Sequence, residues 1–114
     1  MKKHVLFLLM LNISVSHAIS DINNSKVVNV RADKTGKGYI KFDKPLTGSP
    51  ASCIAGGHER HLAFDLNTLG GQGVMSLALS ALATGKSIRA RGTGTCDIYS
   101  VVESWDWGYV YDAN

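Results

Sequence analysis

The chain has 114 residues, 45% apolar and 18% charged, with a formal net charge of +3. That length suits one small domain. The weak charge gives no electrostatic footprint for nucleic acid, so no nucleic-acid partner is expected.

Residues 1–18 read as a signal peptide. Lys2 and Lys3 form a positive start, and Val5 to Leu11 is an unbroken apolar run extended by Ile13 and Val15. Ser16 and Ala18 place small residues at the −3 and −1 positions of a cleavage site. The run falls short of the roughly 20 residues of a membrane span, and no second apolar segment could cross a bilayer. The expectation is an exported chain, periplasmic or secreted, with no stable membrane insertion and one domain over residues 19–114. Without Lys2 and Lys3 the formal charge drops from +3 to +1.

Both cysteines, Cys53 and Cys96, lie in that domain. Two cysteines in an exported chain allow one intramolecular disulfide. The loop it would close is long, and its closure is worth about 4 kcal/mol on the chain-entropy account. No ligand cluster at metal spacing surrounds either cysteine.

Residues 19–25 are polar and read as a frayed terminus. Residues 26–32 (KVVNVRA) predict a strand, with Val28 and Val30 facing one way and Val27 and Asn29 the other. Residues 33–38 (DKTGKG) form a turn, and residues 39–42 (YIKF) return as the second arm of a hairpin. Pro45 to Pro50 is a loop. Gly56 to His61 is a polar turn, and Leu62 to Phe64 is a strand.

Asn67 or Thr68 can cap a helix from about Gly70 to Thr84. Val74, Leu77, Ala78, Ala81 and Leu82 recur at helical spacing and are its expected core face, with Met75 and Leu79 widening the apolar arc. Gly85 suits the left-handed position that ends a helix. Residues 87–91 (SIRAR) alternate, with Ile88 and Ala90 inward and Arg89 and Arg91 outward. Residues 92–95 (GTGT) can carry a bulge. Residues 98–111 read as one long strand, or two with a break near Trp105.

The expected fold is mostly β with one helix, in the order β-β-β-α-β-β. With the helix between strands three and four, this is the order of a small OB-like β-barrel. An α+β sandwich with an open antiparallel sheet is the competing architecture.

The run from Leu62 to Cys96, LAFD…T…GG…SLALSALATGKSIRARGTGTC, resembles small exported bacterial proteins of the subtilase-cytotoxin and pertussis-type B-subunit group. In that group a helix ends in A-x-x-(S/T)-G-K before a strand, and Ala81 to Lys86 (ALATGK) stands at that point here. The resemblance implies an OB-type fold, a ring of subunits, host-glycan binding and a linked Cys53–Cys96 pair. No sugar-contacting residue is carried over from it.

Trp105, Trp107, Tyr109 and Tyr111 fall at alternate positions, and on one extended strand they would share a face. Such a stripe is either a stacking surface for sugar rings or an apolar partner, or core packed on the helix. His58-Glu59-Arg60-His61 lacks the spacing of a metalloprotease motif and reads as a solvated turn, so no metal is expected. Lys34, Lys37, Lys41, Arg89 and Arg91 read as a mixed solvated surface. No nucleophile motif or phosphate loop is present, and Asp65 and Asp97 would serve catalysis only if a cleft joined them. The sequence therefore points to a binding module without cofactor that recognises a glycan or a protein surface, or else to a periplasmic inhibitor or accessory protein. The apolar breadth of the helix further implies a homo-oligomer through that helix.

Overall fold

The computed structural model describes residues 19–113; the expected signal peptide lies outside them. The chain is mostly β, with two sheets and one helix. The first strand is the expected frayed end. β1 (Ser20–Ser25) pairs antiparallel with β6 (Ser87–Gly92), matching Asp21 with Arg91 and Ile22 with Ala90. A polar segment holds a central strand because its buried serines have partners. The Ser20 hydroxyl donates to Glu103 at 2.5 Å, and the Ser25 hydroxyl donates to Asp43 at 2.5 Å. A bulge sits between Ile22 and Ser25, where Asn24 takes φ +48°.

Only Lys26 separates β1 from β2 (Val27–Ala32), and there the chain leaves one sheet for the other. β2 and β3 (Lys37–Phe42) form the predicted hairpin, closed by Gly36 N–H donating to the Asp33 carbonyl at 2.9 Å. β5 (His61–Asp65) pairs with the far side of β3, giving a three-stranded sheet β2-β3-β5. The expected proline loop contains a two-residue strand, β4 (Thr47–Gly48), which joins the larger sheet β4-β1-β6-β7. Its last member is β7 (Trp105–Tyr111).

The long strand expected over residues 98–111 is therefore half that length. Residues 98–104 form an irregular crossing with two isolated bridges, Tyr99–Val102 and a parallel Ala63–Ser104. The sheets are not closed into a barrel: among the described residues, that parallel bridge is the backbone pairing between them. The crossing segment supplies a buried carboxylate that gathers donors from other parts of the chain. Glu103 is fully buried and accepts from Ser20 N–H, Ala51 N–H and Gly94 N–H at 3.1, 2.7 and 3.3 Å. Gly92 leaves it room, since a Cβ there would fall 1.7 Å from the carboxylate. The expected disulfide, Cys53–Cys96, pins the same region with Cα atoms 6.2 Å apart.

Helix α1 (Leu69–Thr84) follows its signals at both ends. Thr68 is the cap and accepts from Gly71 N–H at 2.9 Å; Gly85 ends the helix at φ +69°. The buried stripe is narrower than the spacing predicts: Gly71, Val74, Ala78 and Ala81. Leu77 is only half-buried, and Leu82 remains 43% exposed. Small residues let the helix sit close to the strands, so the contact line is glycine, alanine and one valine. The leucines flank it. The core beneath holds Ile22, Ile40, Phe42, Leu62 and Ile88.

Candidate functional site

The aromatic strand divides. In the β6–β7 ladder Arg91 faces Trp107 but Gly92 faces Trp105, so β7 carries one extra residue at Asp106. That bulge breaks the two-residue alternation. Trp105 turns inward, packs against the core and lies over Gly108. Val110 also contacts the core, which places it on the same inner side. The expectation that all four aromatics share a face is thus corrected to three.

Trp107, Tyr109 and Tyr111 line the outer face. Trp107 and Tyr109 are 41% and 52% exposed, with rings inclined by only 13° and centroids 6.4 Å apart. Tyr111 continues the row at 5.7 Å. Arg89 and Arg91 emerge on this face from β6, their guanidinium carbons 5.4 and 5.6 Å from the Trp107 ring centre. Both reach Asp21 on β1, at 2.9 and 3.3 Å. The Arg89 hydrogen bond holds the Asp21 carboxyl below the usual range, against the upward pull of burial, with Arg91 adding to it. One carboxylate shared between two guanidiniums leaves a net positive charge beside an aromatic platform. The alternation of residues 87–91 sets Arg89 and Arg91 outward among solvated charges; the cross-strand register joins them to the aromatics.

A second constellation lies on the smaller sheet. The expected solvated turn has exposed Glu59 and Arg60, but its imidazoles are not solvated. His61 is 9% exposed and packs edge-on against Tyr39 at 4.7 Å; His58 stands 5.0 Å from His61. Burial, reinforced by His58, lowers the His61 pKa to about 4, so this ring is neutral at physiological pH. The Nδ1 atoms of both rings are buried without a partner. Tyr99 packs on Tyr39 at 5.6 Å, and its hydroxyl donates to Asp33. That bond and the Arg31 ion pair at 2.9 Å lower the Asp33 pKa. Among the described residues no three metal-ligating side chains converge.

Asp65 and Asp97 are not brought to one cleft. Asp97 accepts from Thr95 on the loop after β6, at 2.6 Å. Asp65 shares a cleft with Asp106 instead. Family models, curated proteins and solved structures yield no match to this chain.

Proposed function

We propose that this chain is an exported binding module, cleaved after Ala18, which recognises a glycan through the outer face of β6 and β7. Trp107, Tyr109 and Tyr111 supply the stacking platform, and Arg89 and Arg91 supply hydrogen-bond donors at its edge. The observation that carries this reading is the exposed, near-parallel Trp107–Tyr109 pair beside two arginines. Sugar rings have apolar faces that stack on such rings and hydroxyls that meet such donors. The role is binding and not catalysis.

The resemblance to toxin B subunits is part of the proposal, with an OB-type strand order. Supporting it, the strand neighbours β2-β3-β5 and β1-β6-β7 follow that order in two sheets, which the β1–β2 passage and the isolated Ala63–Ser104 bridge connect. The test is a glycan array probed with the purified protein. Saturable binding to a defined glycan class, lost in Trp107→Ala, is the expected result. Folded protein that binds no glycan removes this reading.

One observation favours a protein partner as the second reading, as an inhibitor or accessory protein would have. β7 is the last strand of its sheet, and beyond the Ala63–Ser104 bridge at its start its outer edge can accept an added strand. Co-purification from periplasmic extract, abolished by a proline at Tyr109, would select that reading.

A further inference from the structure

A cleft of about 360 Å³ opens between the start of α1, the end of β5 and the start of β7. It lies on the inner side of β7, away from the aromatic row. Its apolar lining includes Phe64, Val74, Ile98 and Trp105, and its volume falls within the range of small-ligand sites. Gly70 contributes no side chain, and a Cβ built there would meet nothing within 4 Å.

Two acidic residues, Asp65 and Asp106, belong to the same lining. One Asp65 oxygen accepts from the Asn67 backbone and side chain at 2.9 and 2.8 Å. Among the described residues neither carboxylate forms an ion pair, although Lys37 stands opposite Asp65 in the strand register. A helix start would ordinarily invite an anion. Here part of that end is engaged, since Gly71 N–H goes to the Thr68 hydroxyl and Gln72 N–H to the Thr68 carbonyl at 3.1 Å, and the charged residues beside it are acidic.

We propose that this cleft binds a small organic cation with an apolar body, an aryl- or alkylammonium. Its hydrocarbon part enters among Phe64, Val74 and Trp105, and its ammonium meets Asp65 and Asp106, with the Trp105 ring adding cation–π attraction. This site is separate from the glycan face and survives the failure of that reading.

The test uses the full chain carrying Trp107→Phe, so that tryptophan fluorescence reports Trp105 alone. Phenethylammonium is titrated beside its near-isosteres 3-phenylpropionate and phenethyl alcohol, with amide shifts followed in parallel. The expected result is saturable binding of the ammonium, stronger than the alcohol and far stronger than the anion. Shifted amides should cluster at residues 63–74 and 105–106. Asp106→Asn should weaken the ammonium about two- to fivefold and leave the alcohol unchanged, as expected for a partly exposed charge pair. Asp65→Asn should do the same, with helix content checked because Asp65 also holds Asn67. Equal affinity for anion and cation, shifts mapping elsewhere, or indifference to Asp106→Asn would overturn the proposal.

Discussion

The Ser20 hydroxyl donates to Glu103 across 2.5 Å, and neither side chain reaches solvent. The same carboxylate holds the start of β1, the loop at Ala51 and the turn at Gly94. Glu103→Ala leaves these buried donors without an acceptor. It should cost at least about 1–3 kcal/mol in urea unfolding, the range for one buried polar group left unsatisfied, with several donors affected here. Glu103→Gln keeps one oxygen and should cost clearly less.

The Cys53–Cys96 bridge spans 43 positions of sequence. Its removal frees the unfolded chain by about 4 kcal/mol on the loop-closure account, less any strain released from the native state. Cys53→Ala/Cys96→Ala should unfold at markedly lower urea than the oxidised protein, and dithiothreitol should move the wild type to the same midpoint. A midpoint insensitive to both would deny the bridge its stabilising role.

His61 gives a pH dependence with a definite sign. Its folded pKa, about 4, lies below the ordinary 6.5, so the unfolded chain takes up the proton first. The stability tied to neutral His61 is complete above about pH 6.5 and is lost as pH falls toward 4. The loss should be on the order of 2 kcal/mol. Asp21, Asp33 and Asp43 have lowered pKa values, so their contribution fades only below the ordinary carboxylate range. Urea midpoints at pH 7 and 4.5 should differ in the wild type and much less in His61→Phe, whose ring keeps the Tyr39 contact.

The two tryptophans of β7 should behave oppositely. Trp105→Ala removes a ring packed on the core and should cost about 3 kcal/mol. Trp107→Ala removes an exposed ring and should cost under about 1 kcal/mol while abolishing glycan capture. Equal destabilisation by both would contradict the bulge at Asp106.

Helix α1 exposes Leu69 at its start, at 87%, and Leu79 and Leu82 beside its buried stripe, at 50% and 43%. Assembly through this face is the proposed homo-oligomer. Sedimentation at micromolar concentration should show a species larger than the monomer, dissociated by Leu79→Glu. A monomer unaffected by that change would end the oligomer proposal and weaken the toxin-ring analogy.

What the sequence made legible was local. The hairpin around Gly36, the Thr68 cap, the Gly85 stop and the alternation of residues 87–91 each rest on neighbours within a few positions. What it hid depends on distant partners. β1 looked unstructured because its serines are hydrophilic until Asp43 and Glu103 receive them, the latter 83 positions away. The aromatic row was legible as a stripe, but one inserted residue at Asp106 moves Trp105 to the other face. The His58–His61 turn looked wet because Tyr39, which covers both rings, lies on another strand.

The strand nearest the N-terminus is among the last to find its neighbours. β1 pairs with β6, and its first residue is clamped by Glu103, so its place exists only once most of the chain has been made or delivered. Long-range pairings of this kind close slowly, because the loop entropy is spent before any contact rewards it. Until then the core residue Ile22 lacks its cross-strand partner Ala90, and the two-residue β4 is the neighbour β1 can find. A partly made chain therefore holds its leading strand without its β6 partner. Its final locking is timed by the emergence of residue 103.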